Sequence, residues 1–93
     1  MSYESLIKPP ISKALKSGRV ILKPGEEIGW HKTDKREEII IVLKGCATLQ
    51  KKDLKDIILC AEQTHYIPSE VEHNVKNNTE KELEYIYVVS LFS

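Results

Sequence analysis

Short apolar segments, rich in β-branched residues and separated by turn-forming residues, constrain the fold of this chain more than any other feature. The most apolar are Ile39–Leu43 and Leu83–Phe92. Turn signals lie between such segments, among them Pro24-Gly25 and the polar cluster 77–81. Seven or eight short strands at a spacing of about 8–12 residues, with no helical period, predict an all-β sandwich or barrel.

The bounds of the strands follow from the β-branched content and from the residues that end each segment. Pro68 is one such residue, because proline cannot donate to a β-ladder. We predict strands at Val20–Leu22, Ile28–Thr33, Glu37–Lys44, Ala47–Gln50, Ile57–Cys60, Thr64–Ile67, Val71–Lys76 and Leu83–Phe92.

The first 18 residues differ from the rest of the chain. Pro9-Pro10 excludes a continuous helix, but the segment from Ile11 could form one short helical turn that ends at Gly18. We therefore predict an N-terminal arm over residues 1–18, packed on the outside of a single barrel domain over residues 19–93.

Length and charge exclude several classes of protein. Ninety-three residues make one domain, and 14 basic and 14 acidic residues cancel. The broad positive footprint of a nucleic-acid-binding protein is therefore missing. The longest uncharged apolar stretch, Ile39–Leu43, is too short to span a bilayer, and no targeting segment is visible. We expect a cytoplasmic protein that binds neither nucleic acid nor membrane.

The two cysteines, Cys46 and Cys60, each stand seven residues from Asp53. If Asp53 centres a hairpin, the cysteines face each other across two strands, where side chains come within about 4.5–5.5 Å. A disulfide is conceivable at that distance. Because a cytoplasmic protein keeps its thiols reduced, we expect two free thiols.

Three potential metal ligands, His31, Glu38 and His73, lie among the β-prone segments rather than in a loose polar tail. Successive side chains of a strand point to opposite faces, so each ligand can point between two sheets while its neighbours point away. Two imidazoles and one carboxylate with open coordination positions are typical of a non-heme Fe(II) site. The pattern predicts a metal site but says little about the substrate.

The spacing of these residues resembles that of the cupin superfamily. The positions of its first motif are held by Gly25, His31, Thr33, Glu38 and Gly45, with Thr33 where a second histidine is expected. Those of its second motif are held by Glu62, Pro68, Glu70, His73 and Asn77, with glutamates at two positions where glycine is expected. The chain resembles a minimal single-domain cupin, which implies a jelly-roll-like β-barrel.

The usual metal cage of that family is three histidines and one glutamate. We therefore expect a three-ligand site of His31, Glu38 and His73, with Thr33 at its edge, for a divalent ion of open identity (Fe, Mn, Ni or Zn). The alternative is a pair of hydrogen-bonded interior histidines in a cupin without metal. That alternative leaves Glu38 as a buried charge facing two neutral imidazoles, which is costly.

Other polar and aromatic residues have simpler interpretations. His65 holds none of the defined positions of either motif and is expected to be a hydrogen-bonded or surface histidine. Asn77 is expected to be a turn residue. Four large aromatic residues are expected in the core: Trp30, Tyr66, Tyr85 and Tyr87. One of the tyrosine hydroxyls could reach the mouth of a pocket.

Three functions are compatible with this sequence. The first is a metal-dependent oxygenase or isomerase acting on a small polar molecule. The second is a metal-free or metal-bearing module that binds a small ligand such as a sugar or acid without turnover, and the third is a structural cupin. No strong anion clamp is evident, since the only arginines are Arg19 and Arg36. A homodimer is expected from the resemblance, and because the apolar segment Leu83–Phe92 would be a hazard at an open sheet edge.

Overall fold

Alternation of apolar and polar side chains in the longer segments produces strands with one buried face. The computed structural model describes residues 1–91, and in this range the chain forms eight strands and no helix. The strands are β1 (Ser2–Ile7), β2 (Leu15–Leu22), β3 (Glu38–Lys44), β4 (Cys46–Lys51), β5 (Ile57–Cys60), β6 (Thr64–Ile67), β7 (His73–Lys76) and β8 (Leu83–Ser90). The all-β prediction is confirmed. No helix in the described range is long and apolar enough to cross a membrane.

The strands form two antiparallel sheets that enclose one core. The larger sheet has the order β1-β2-β8-β3-β6, and the smaller has the order β5-β4-β7. Both sheets contribute to the core, whose fully buried apolar members include Leu22, Ile40, Val42, Leu49, Ile67, Val75, Leu83 and Tyr85. The site described below lies where the inner faces of the two sheets meet.

Strand β8 lies in the middle of the larger sheet, between β2 and β3. This apolar strand therefore does not lie at an open edge, because hydrogen bonds to two neighbouring strands satisfy its backbone within the chain. Phe92, the predicted end of the strand, lies outside the described residues. The homodimer stays a prediction, but an exposed edge at this strand no longer supports it.

The N-terminal arm is a strand rather than a helical turn. β1 pairs with β2, and β2 begins at Leu15, so that the segment expected to turn as a helix is partly extended and carries Gly18 in its interior. Gly18 lies opposite Ser5 on one side and Tyr87 on the other. β1 and β2 are consecutive strands joined by the loop over residues 8–14, and their pairing depends on partner strands that local propensity does not reveal. The division of the chain at residue 18 stays a prediction.

The strand predicted at Ile28–Thr33 is an irregular extended segment. Gly29 has a φ of +99°, a left-handed conformation that interrupts strand geometry. The segment nevertheless pairs with β7, because His31 and His73 exchange two backbone hydrogen bonds of 2.9 Å each. This pairing brings two distant histidines side by side.

The two cysteines form a disulfide, so the expectation of free thiols is wrong. Cys46 and Cys60 are register partners in the hairpin of β4 and β5. Asp53 lies at the turn of that hairpin with a φ of +63°. The cysteines therefore face each other across the hairpin, as their equal spacing from Asp53 indicated. The expectation of free thiols came only from the expected cytoplasmic location.

Two of the four aromatic residues expected in the core lie outside it. Trp30 is 52% exposed and Tyr66 is 49% exposed. Tyr85 is fully buried, as expected, while Tyr87 is half-buried and lines a cavity. The irregular segment around Gly29 turns Trp30 outward, and strand alternation does the same for Tyr66, whose neighbour Ile67 points into the core.

Candidate functional site

Glu38 is a buried carboxylate at the start of β3. Alternation along this strand buries Glu38, Ile40 and Val42 and leaves Ile39 exposed. The register places Glu38 opposite Val89 of the central strand β8. A charge at this position needs a partner, because an unpaired buried carboxylate is costly.

His73 is fully buried at the start of β7. Its Nδ1–H donates to the carbonyl of Val71 at 2.9 Å, which leaves Nε2 as the unprotonated nitrogen of the neutral ring. Nε2 lies 3.2 Å from Oε1 of Glu38, but within residues 1–91 it makes no hydrogen bond. Burial lowers the pKa of His73, while the Glu38 carboxylate and the Val71 carbonyl raise it by more, so the net shift is upward.

His31 uses the same arrangement from the opposite segment. Its Nδ1–H donates to the carbonyl of Gly29 at 3.0 Å, two residues earlier in the chain, as His73 does to Val71. The two imidazole rings meet edge-on, with centroids 4.2 Å apart. His31 is exposed to solvent and lines the cavity described below, whereas its two partners are buried.

Ligand atoms of His31, Glu38 and His73 all lie within 4.8 Å of one another. The structure therefore brings together the three residues that the sequence predicted as ligands. Both imidazoles have their Nδ1 fixed by a backbone carbonyl, an arrangement that typically orients metal-binding histidines. Their assignment as metal ligands stays a prediction.

Thr33 is half-buried and lines the same cavity as His31 and Glu38. Its Oγ1 donates to the carbonyl of Arg36 at 3.4 Å. Its neighbour Lys32 points away, with Nζ 3.5 Å from a carboxylate oxygen of Asp34. Thr33 and Lys32 therefore lie on different sides of this segment.

A cavity of about 370 Å³ adjoins these residues over the inner face of the larger sheet. Its walls combine apolar, aromatic and charged side chains, with Glu38 as the only carboxylate among the lining residues of the described chain. The lining consists of Met1, Tyr3, Lys16, Val20, Ile28, His31, Thr33, Arg36, Glu38, Tyr85, Tyr87 and Val89.

Sequence reasoning missed three of the polar groups in this cavity, Lys16, Arg36 and Tyr3, and left open which tyrosine, among them Tyr87, would reach a pocket. Lys16 and Arg36 line it, and so do Tyr3 and Tyr87, whose hydroxyls are hydrogen-bonded to each other. The pairing of β1 with β2 places Tyr3 there, which no local pattern indicates. The alternation of β8 could have placed Tyr87 on the same face as Tyr85.

His65 and Asn77 lie outside the cavity lining, as the sequence indicated. Nζ of Lys51 lies 2.6 Å from Nε2 of His65, which accepts its hydrogen bond. Burial and then the charge of Lys51 lower the pKa of His65. Asn77 is buried and fixes a turn by donating to the carbonyls of Leu22 and Lys81.

Comparisons with known proteins agree with this architecture. A model of the cupin domain family matches residues 18–89. No curated protein sequence matches the chain significantly. A predicted oxalate decarboxylase from Thermotoga maritima is similar in structure, with a TM-score of 0.88, 26% identity, and coverage of 97% of this chain and 79% of that one.

Two further solved structures share the fold at lower identity. An RmlC-like cupin family protein from Methanocaldococcus jannaschii, with a double-stranded β-helix fold, has a TM-score of 0.84 and 22% identity, over 97% of this chain and 78% of that one. KdgF from a Halomonas species has a TM-score of 0.82 and 15% identity, over 98% of this chain and 80% of that one. At these identities the two likenesses show the fold alone.

Proposed function

The chain belongs to the cupin domain family, and from this premise we propose that His31, Glu38 and His73 bind a divalent metal ion that holds a small polar molecule in the adjoining cavity. The proposal covers a metal-dependent oxygenase or isomerase. The ion is Fe, Mn, Ni or Zn, since imidazole and carboxylate ligands suit all four.

The observation that carries the proposal is the orientation of the two imidazoles. Each donates its Nδ1–H to a carbonyl, so each presents the lone pair of Nε2 for coordination. His73 Nε2 is buried without a hydrogen bond in the described chain, and the Glu38 carboxylate lies beside it. A cation accepts the lone pair and neutralises the carboxylate, so the residues present fit a metal.

A divalent metal at this point would supply Lewis acidity toward an oxygen of the bound molecule. The chain's own residues then bind and shield that molecule. Apolar side chains of Val20, Ile28 and Val89 line the cavity and exclude water, while Thr33 offers a neutral hydroxyl beside the ligands.

The second candidate is a binding module without turnover, and one observation favours it. Among the lining residues, Glu38 is the only carboxylate and His31 the only imidazole. Both are used as ligands in the proposed site, so neither remains free as a general acid or base. Turnover assays on metal-loaded protein with candidate small polar molecules separate the two candidates.

The metal is tested by thermal unfolding of protein that has been purified without nickel resin and stripped with chelator. A ligand at a hundredfold excess over Kd adds about 2.7 kcal/mol, and each kcal/mol shifts the midpoint of so small a domain by about 4–8 °C. We expect at least one of Fe(II), Mn(II), Ni(II) and Zn(II) to raise the midpoint clearly.

The variants His31→Ala and Glu38→Gln should lose most of this shift, whereas His65→Ala, outside the cavity, should keep it. Because His31 is exposed, its truncation leaves the core intact. A shift that survives in both site variants, or no shift for any metal, would refute the proposed site.

A further inference from the structure

We propose that the cavity binds a short aliphatic dicarboxylate, with one carboxylate toward the metal site and the other held by Lys16 and Arg36. The first half of this proposal rests on the proposed function. The second half rests on two cations and a pair of hydroxyls that line the same cavity and that the metal site does not use.

Lys16 faces Glu38 across the inner surface of the larger sheet. Val89 of β8 is the register partner of Lys16 in β2 and of Glu38 in β3, so the three residues form one row. Adjacent strands lie about 4.8 Å apart, which places the backbones of Lys16 and Glu38 about 10 Å apart. A molecule in the cavity therefore has the carboxylate site on one side and a cation on the other.

Arg36 adds a second positive charge to this cavity. Within residues 1–91, no carboxylate lies within 4.0 Å of Arg36 or Lys16, so both cations are available to a ligand. The other arginine, Arg19, is engaged with Glu4 and Glu84 on a different face. A guanidinium presents a fork of donors that matches a carboxylate in two parallel hydrogen bonds.

The charge balance of the cavity calls for an anion. Its lining side chains supply two cations, Lys16 and Arg36, against one anion, Glu38. A divalent metal would add two further positive charges at the Glu38 end. A dicarboxylate neutralises charge on both sides, whereas a neutral sugar leaves both cations without a charged partner.

A tyrosine pair supplies a neutral donor beside these cations. The hydroxyls of Tyr3 and Tyr87 are hydrogen-bonded to each other, so one of their two protons remains free to donate. Burial, the Tyr3 hydroxyl and the Glu38 charge raise the pKa of Tyr87, so it stays protonated at neutral pH. Gly18 makes room for the pair, because a Cβ there would lie 2.8 Å from the Tyr87 ring.

The volume and walls of the cavity limit the ligand to a short chain. About 370 Å³ is at the small end of the range for ligand pockets. Apolar walls of Val20, Ile28 and Val89 suit methylene groups between the two carboxylates. Tyr3 and Lys16 precede the region that the family model matches, so this end of the cavity belongs to the chain's own N-terminal part.

The test is calorimetric titration of malonate, succinate and glutarate into both stripped and metal-loaded protein, with succinamide as the neutral control. We expect at least one acid to bind the metal-loaded protein about tenfold or more tightly than succinamide, since charged hydrogen bonds contribute most of the affinity. Weaker but measurable binding is expected without metal. No binding by any of the acids, or equal binding of succinate and succinamide, would overturn the inference.

Variants locate the distal carboxylate. Arg36→Gln and Lys16→Gln should each weaken binding of the best acid about tenfold, while the Kd for the metal stays unchanged. Lys13→Gln, an exposed lysine outside the cavity, should change neither. If neither Arg36→Gln nor Lys16→Gln changes the affinity for the acid, the inference is refuted, while the proposed metal site is unaffected. Conversely, loss of metal binding with retained, Arg36-dependent acid binding refutes only the proposed function.

Discussion

Single residues in this chain carry backbone strain that the sequence already indicated. Glu62 and Glu70 stand where the family resemblance implies glycine, and their φ angles are +73° and +69°. A left-handed conformation costs an L-residue about 1–2 kcal/mol. Glycine removes that cost but adds entropy to the unfolded chain, which offsets part of the gain.

We therefore predict that Glu62→Gly raises the free energy of unfolding by about 0.5–1 kcal/mol. Glu70→Gly should gain less, because Oε1 of Glu70 accepts a hydrogen bond of 2.8 Å from the backbone N–H of Lys35. Urea unfolding of the two variants measures the difference. A larger gain at Glu70 than at Glu62 would contradict this explanation.

Thr33 offers a test of the metal site at residue scale. Because Thr33 lines the cavity beside His31 and Glu38, Thr33→His should add an imidazole to the site and tighten metal binding by about tenfold or more. Lys32→His is the matched control, since Lys32 points outward toward Asp34. Isothermal titration with the metal measures both, and equal effects would show that the assumed side-chain directions are wrong.

His65 makes a pH-dependent contribution to stability. Burial and the Lys51 charge lower its pKa from the ordinary 6.5, so the unfolded chain binds a proton more readily than the folded one. Stability from this residue is therefore full above pH 6.5 and declines as the pH falls through 6.5 toward the lowered value. Urea unfolding of metal-free protein between pH 8 and 5 should show a shallower decline for His65→Gln than for the unmodified chain. Parallel pH profiles would exclude this role.

At the scale of elements, the hairpin of β4 and β5 is closed covalently. The disulfide between Cys46 and Cys60 spans a sequence separation of 14 residues. Closing a loop of about this length stabilises a fold by roughly 3 kcal/mol in the chain-entropy model, chiefly by restricting the unfolded state.

The variant with Cys46→Ser and Cys60→Ser should therefore unfold with a free energy lower by up to about 3 kcal/mol, with metal binding retained because neither cysteine lines the cavity. Reductant should destabilise the unmodified chain similarly and leave the variant unchanged. If the oxidised protein is no more stable than the variant, the disulfide does not stabilise the fold. The cytoplasmic location stays a prediction, and in that compartment the thiols would be kept reduced.

Across the whole molecule, the three site residues come from both sheets and from the segment that joins β2 to β3. Glu38 belongs to the larger sheet, His73 to the smaller, and His31 to the irregular segment that bridges to β7. A metal at this point would therefore cross-link the two halves of the barrel. This explains why a bound ion is expected to raise the stability of the entire domain rather than of one loop.

The homodimer also belongs to this scale. Exposed apolar side chains concentrate at the N-terminal end, where Tyr3, Leu6, Ile7 and Leu15 lie on or beside the unpaired edge of β1. A second copy of the chain would cover this edge, since exposed edges and apolar patches favour association. Sedimentation should give twice the protomer mass of 10.7 kDa. The variant Leu6→Lys should lower the measured mass toward that of a single protomer. A monomer at all concentrations would contradict the prediction.

Much of the fold and the ligand trio could be predicted from local patterns. β5 and β6 lie at the predicted residues, and β3, β4 and β7 differ from prediction by no more than two residues at either end. Strand identity depends on alternation and on the residues that end each segment, which are properties of neighbours in the sequence. The spacing of His31, Glu38 and His73 likewise predicted that they lie together, and in the structure their ligand atoms are within 4.8 Å of one another.

The tertiary structure alone decided what lies opposite those residues. Pairing of β1 with β2 brings Tyr3 over Gly18 to the hydroxyl of Tyr87, and the row across β2, β8 and β3 sets Lys16 against Glu38. These contacts join segments as many as 84 residues apart. Strand order depends on the free energy gained when the apolar faces of the two sheets pack against each other. That free energy involves residues far apart in sequence, so no local pattern encodes it. The sequence by itself therefore determined the three candidate ligands, and the fold decided the cavity beside them.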